Sequence, residues 1–125
     1  MDVFEKFLND YRSVVELGFY WTDALQIIHH IKLELDEVKA ELAGSNSQAL
    51  QEELGDVIHA CMELIDFCGF DPKETFTLAN KKFEKRFQLL REVIDEEKAQ
   101  DFKTLSREQK LAFWAKAKQK ERQLS

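Results

Sequence analysis

Between Trp21 and Gly44, apolar side chains fall at Leu25, Ile28, Ile31, Leu35, Val38 and Leu42. Steps of three and four residues bring positions onto one face of an α-helix, so this stretch must form a rod of about five turns with one side against a core. The same rhythm fills most of the chain. With one Pro and four Gly in 125 residues, tight turns are too few for an all-β fold. The expectation is an all-α, four-helix-bundle-like single domain over residues 1–125 with an additional C-terminal helix. That length sustains a core without disulfide or metal staples.

The first helix is expected from about Val3 to Leu17, with Phe4, Phe7, Leu8, Tyr11, Val14 and Val15 inward and Gly18 ending it. Thr22 is a candidate N-cap for the second helix, which reaches about Leu42 ahead of a terminating Gly44, and Ser47 can cap a third. That third helix carries Leu50, Leu54, Val57, Ile58, Cys61, Leu64, Ile65 and Cys68, an apolar surface wide enough for a central, largely buried helix. Gly69-Phe70-Asp71-Pro72 reads as a stop and a restart, with Asp71 as N-cap and Pro72 at the first helical position. The fourth helix continues to about Glu97 with Phe76, Ala79, Phe83, Phe87, Leu90 and Ile94 inward. Ser106 opens a last helix anchored by Leu111, Phe113 and Trp114.

A formal net charge of −6 argues against nucleic acid polymers as partners, because their phosphates demand a positive footprint. Cys61 and Cys68 stand roughly 10 Å apart along one helix, beyond disulfide reach, and read as small buried hydrophobes in a reducing compartment. The segment from Met1 to Lys6 has no signal-peptide layout, and no apolar run approaches the ~20 residues of a membrane span. The cytoplasm is the expected location. His29, His30 and His59 lack metal-type spacing and read as solvated or core histidines.

Two acidic pairs stand out from this frame, Glu34-x-x-Glu37 beside the apolar seam of the second helix and Glu53-x-x-Asp56 near the start of the third. Residues three apart on a helix share a face. Folding back across Ala43-Gly44-Ser45-Asn46-Ser47 lets four carboxylates converge with no basic residue inside either pair. Their mutual repulsion asks for a cation, and oxygen-only donors suit Mg²⁺ or Mn²⁺ better than softer metals. The rival reading is a solvated face, of which a chain with 24 Asp and Glu has many; for Glu53, stabilisation of the helix N-terminus is another. Lys81, Lys82, Lys85 and Arg86 form the densest basic patch, either a solvated face or a hold for pyrophosphate. Trp21 is either a core residue or a ring that stacks on a base.

In three segments, Glu34-Leu35-Asp36-Glu37, Glu53-Leu54-Gly55-Asp56 and Asn80-Lys81-Lys82-Phe83-Glu84-Lys85-Arg86, the chain resembles the MazG-like members of the all-α nucleoside triphosphate pyrophosphohydrolase superfamily. The run Glu52-Glu53-Leu54-Gly55-Asp56-Val57-Ile58 is the most specific, and Trp114-x-x-x-Lys118-x-x-Glu121 is similar to the family's closing motif. The resemblance covers about Trp21 to Glu121. It implies that Glu34, Glu37, Glu53 and Asp56 bind Mg²⁺, that Lys82 and Arg86 contact phosphates, and that Asn80, Trp114 and Lys118 lie near the nucleotide. It implies hydrolysis of a nucleoside triphosphate between the α and β phosphates, with Glu37 as the base and Glu53 beside it. The family's Cys-Pro-Trp-Asp and His-Pro-His segments are replaced here by Phe19-Tyr20-Trp21-Thr22 and Phe87-Gln88-Leu89-Leu90, so the departures fall on base recognition.

The resemblance further implies a house-cleaning role in the nucleotide pool and assembly as a homodimer or tetramer. The length of the helices supports assembly, since their apolar stripes would be partly uncovered in one chain. A different class of function remains open to the same residues: a helical module that senses nucleotides or docks a partner without turnover.

Overall fold

The computed structural model describes residues 1–124. It is built from α1 (Val3–Glu16), α2 (Ala24–Leu42), α3 (Ser47–Phe67), α4 (Pro72–Glu96) and α5 (Arg107–Leu124), with a short 3₁₀ turn at Phe102–Thr104. No strand occurs among the described residues, so the fold is all-α. The chain divides into two compact units, residues 1–75 and the residues from 76 onward.

In the first unit α2 packs chiefly on α3, and α1 also touches α3. The connection Ala43–Asn46 between α2 and α3 is short enough to make them antiparallel neighbours. The capping residues differ by one position from the sequence reading. Asp23, not Thr22, caps α2, its carboxylate accepting from the Leu25 N–H at 2.7 Å; Asn46, not Ser47, caps α3 by accepting from the Ala49 N–H at 3.0 Å. Both replacements put a side-chain carbonyl or carboxylate oxygen where a hydroxyl was expected, and these rank at the top of cap preferences. Gly44 does not supply a left-handed terminus, since its φ is not positive. Gly18 (φ +98°) and Gly69 (φ +87°) do adopt that conformation and stop α1 and α3. Asp71 caps α4 as expected, accepting from the Glu74 N–H at 3.0 Å, and Pro72 is its first residue. Lys73 clips this end to α1 through Asp2 at 2.7 Å and Glu5 at 3.1 Å.

Among the described residues of the first unit, Leu8, Ile27, Val38, Ala60, Met62 and Pro72 are buried, Ile27 and Ala60 completely. Of the expected seam of α2 only Val38 is buried and Ile31 half-buried; Leu25 (69%), Ile28, Leu35 and Leu42 are exposed, while Ile27, outside that seam, is at 0%. α3 is not buried around most of its circumference either: Ile58 is 54% exposed, and Cys61 and Cys68 are both exposed rather than buried. Within the first unit α3 is covered by α2 and, more sparsely, by α1.

In the second unit the buried positions are Leu89, Val93 and Ala117. The inward stripe expected for α4 is corrected accordingly. Leu89 and Val93, four residues apart and so on one face, are inside, whereas Phe76, Phe83 and Phe87 are exposed. α5 opens with a capping box: the Gln109 N–H donates to Ser106 Oγ at 3.1 Å, and the Ser106 N–H donates to Gln109 Oε1 at 2.9 Å. Phe113 and Trp114 are half-buried and serve as anchors, but Leu111 is exposed.

Candidate metal centre

The α2–α3 hairpin decides which acidic side chains meet. Glu34 and Glu37 project from α2, and Glu53 from the first turns of α3. One carboxylate oxygen of each lies within 4.8 Å of the other two. Asp56, one turn further along α3, stands outside that closest trio but near enough to add to the negative field on Glu34 and Glu53. Glu34 is only 14% exposed in its side chain. Its Oε2 and the Oε2 of Glu53 are both buried without a hydrogen-bond partner, an arrangement that ordinarily costs about 1–3 kcal/mol per group.

Repulsion and desolvation leave their mark on protonation. Glu53 is pushed up to about 7, first by the hydrogen bond it shares with the Glu37 carboxyl, then by desolvation and the charges of Glu37, Asp56 and Glu34. Glu34 is raised chiefly by desolvation and then by Glu37, with His30 acting in the opposite direction. His30 Nε2 lies 3.5 Å from Glu34 Oε1.

These residues fit a small hard cation. The donors are all oxygen, two of them are buried and unsatisfied, and Mg²⁺ ligands at about 2.1 Å from the ion can be no more than ~4.2 Å apart. The trio's oxygens, all within 4.8 Å of one another, lie close to that span. A stability signature follows. Glu53 keeps its proton in the native state up to about pH 7, whereas in the unfolded chain it releases it near the ordinary value of about 4.5. Without metal, this group's contribution is therefore fully present below pH 4.5 and lost as pH rises through 7. Thermal melts in EDTA should show Tm falling across that window, and Mg²⁺ should restore it at pH 8. Asp2, lowered to about 2 by Lys73, acts with the opposite sign and only below about pH 3.8, so the windows separate. A Tm in EDTA that stays level from pH 4.5 to 8 would contradict the coupling.

A cavity of about 570 Å³ opens beside the carboxylates, with Glu34 and Asp56 in its wall. α1 contributes Phe7 and Tyr11, the α1–α2 connection Trp21, and α3 His59 and Glu63. Phe7 and His59 stack face to face at 4.0 Å, and Trp21 tilts against His30 at 5.3 Å. The indole N–H of Trp21 donates to Glu63 Oε1 at 3.2 Å. Trp21 is thus a half-buried wall residue rather than a core tryptophan. Burial, with Glu63 and Asp66 nearby, raises Tyr11 and keeps its hydroxyl protonated.

Phe7, Tyr11, His59 and Glu63 were not singled out as site residues from the sequence. A signal was present: Glu53, Asp56, His59 and Glu63 recur at steps of three, three and four along α3, and that spacing is one polar stripe.

The remaining expected residues belong to the second unit. Asn80 and Lys82 are exposed on α4, and Lys118 is half-buried on α5. Arg86 is largely buried and donates through Nε to Glu121 Oε1 at 2.9 Å. Trp114 faces the Phe83 ring with centroids 6.0 Å apart.

Comparison with known proteins bears on these residues directly. Residues 23–89 match a family model described as the MazG nucleotide pyrophosphohydrolase domain, a stretch holding all four acidic residues, Lys82 and Arg86. Over 103 residues, 82% of the chain, it is 30% identical to the nucleoside triphosphate pyrophosphohydrolase/pyrophosphatase MazG of Thermotoga maritima, covering 39% of that protein. It is 29% identical over 85 residues to the nucleoside triphosphate pyrophosphohydrolase of Escherichia coli K12, covering 66% of the chain and 32% of that protein. A third relative, the uncharacterized protein YabN of Bacillus subtilis, is 33% identical over 73 residues, 58% of the chain and 15% of its own length. The chain therefore spans less than half the length of each of these relatives.

Proposed function

The chain belongs to the MazG nucleotide pyrophosphohydrolase family, and from that premise we propose that it hydrolyses a nucleoside triphosphate between the α and β phosphates, releasing a monophosphate and pyrophosphate. The observation that carries this reading is the carboxylate cluster with two orphaned buried oxygens at the edge of an aromatic cavity of nucleoside size. Glu34, Glu37, Glu53 and Asp56 would hold Mg²⁺, with Mn²⁺ as a substitute. Bound there, the ion would neutralise phosphate charge and lower the pKa of a water molecule.

The chain's own groups supply the rest. Glu37 is the exposed member of the trio and so can accept a proton from the attacking water and pass it to solvent. Glu53, whose oxygen lies within 4.8 Å of that carboxyl, would share the ion with it and so hold the base beside the water. The likeness to the family supports Lys82 and Arg86 as the groups that would answer the charge developing on the departing pyrophosphate, and Asn80, Trp114 and Lys118 as further nucleotide contacts. Trp21 and its neighbours exclude water from the base. The exposed apolar stripes on α2, α3 and α4 support a homodimer or tetramer. No described helix is long and apolar enough to cross a membrane, which accords with a cytoplasmic house-cleaning role.

The test is a panel of canonical and modified nucleoside triphosphates with Mg²⁺, read by pyrophosphate and monophosphate together. Orthophosphate as the product would place cleavage at another bond. Mg²⁺-dependent binding without turnover across the panel would make the protein a sensing module. In the same assay Lys82→Ala should raise KM about tenfold, the loss of one charge-assisted contact to phosphate. A wild-type KM would remove Lys82 from the phosphate site.

A further inference from the structure

We infer that Glu63 selects the base, favouring a nucleobase with two adjacent N–H donors, the guanine edge, over one whose edge is flanked by carbonyls, uracil or thymine. The inference rests on the reading that the aromatic cavity receives a nucleotide whose phosphates lie at the carboxylate end.

Among the described residues no lysine or arginine lines this cavity; its charged wall groups are Asp10, Glu34, Asp56 and Glu63. Glu34 and Asp56 belong to the metal end. Asp10 is paired with Lys6 at 2.9 Å and is mostly exposed. Glu63 is left as the acceptor that faces a base. It is half-buried, and the Trp21 indole, which can only donate, fixes one of its oxygens at 3.2 Å. Glu63 carries no ion pair among the described residues, so its charge is open to a ligand.

The position along α3 matches this task. Asp56 and Glu63 lie on one face, seven residues and roughly 10 Å apart at the helical rise, which separates a phosphate end from a base end. An ionised carboxylate accepts and never donates. Guanine offers N1–H and N2–H₂ side by side and satisfies both oxygens in the manner of a bidentate pair. Hypoxanthine lacks the second donor. Adenine and cytosine place a ring-nitrogen lone pair beside their amino group, and uracil and thymine turn two carbonyl dipoles towards the negative charge. Trp21 acts as a positioning residue, holding the carboxylate in register.

The experiment compares GTP, ITP, CTP, ATP and UTP on the full chain with Mg²⁺. It reads kcat/KM from pyrophosphate release and Kd by calorimetry with the α,β-imido analogues. GTP should exceed UTP by about 10- to 100-fold in both readouts, with ITP between them. Glu63→Gln, whose amide can also donate, should compress the GTP-to-UTP ratio to within about threefold, partly by improving UTP. Trp21→Phe should compress it less. Equal wild-type Kd for GTP and UTP, a preference for CTP or UTP, or an unchanged ratio in Glu63→Gln overturns the inference. If Glu63→Gln fails to fold, the wild-type GTP-to-ITP comparison still decides whether the second donor is read. Base-selective binding without pyrophosphate leaves Glu63 in its role and removes the hydrolase reading, while pyrophosphate release without selectivity does the reverse. No nucleotide binding at all removes both.

Discussion

Glu53→Gln and Asp56→Asn should each lower pyrophosphate release at least about a hundredfold, while in EDTA at pH 8 both variants melt no lower than the wild type. The two readouts move apart for one reason. The neighbouring Glu37 carboxyl, desolvation and the charges around it hold the Glu53 proton up to about pH 7, so removing a charge relieves the metal-free fold. The same change takes away an oxygen that would bind the ion. Partners that only orient a metal ligand already cost 10- to 100-fold on mutation, and a direct ligand should cost no less. A variant that hydrolysed normally would show that these carboxylates are surface decoration. A fall in Tm without metal would show that the cluster stabilises the fold, contrary to the orphaned oxygens of Glu34 and Glu53.

Ile27→Ala should cost about 2–5 kcal/mol, the range for a fully buried branched side chain replaced by a methyl group. Ile27 is at 0% exposure on α2, the helix that pairs with α3 and carries Glu34 and Glu37. At about 4 °C per kcal/mol for a chain of this size, Tm should drop by roughly 8–20 °C. Mg²⁺ affinity, read by calorimetry below the new Tm, should weaken as well, because the register of α2 on α3 sets the spacing of the acidic trio. Leu25→Ala, two residues away and 69% exposed, should change Tm by only a degree or two. If both substitutions cost the same, the burial described for α2 is wrong.

Helical periodicity made the five rods legible, and the Asp71-Pro72 start of α4 and the Ser106 start of α5 followed from local capping chemistry. So did the meeting of Glu34, Glu37 and Glu53, because a short connection forces neighbouring helices to face each other. What periodicity cannot convey is which side of a broad stripe this chain covers. Leu25, Ile58, Cys61 and Phe83 are as apolar as Ile27 and Val93, and only tertiary placement separates them. The cap positions slipped by one because Thr22-Asp23 and Asn46-Ser47 each offer two competent residues in a row. Glu63 was passed over because a single acid among 24 carries no signal until its spacing from Glu53, Asp56 and His59 is noticed.

The polar stripe on α3 also makes the helix a ruler. On the reading proposed above, its first turns would hold the ion's oxygens, and two turns later the same face would meet the base, at a distance fixed by backbone geometry rather than by loops. Reaction chemistry and substrate choice would then be separable: exchanging the residue at position 63 should retune which nucleotide is accepted while the ion-holding turn stays untouched. One residue inserted between 56 and 63 would swing the reader about 100° around the axis, and a protein so altered would keep its metal and lose its discrimination.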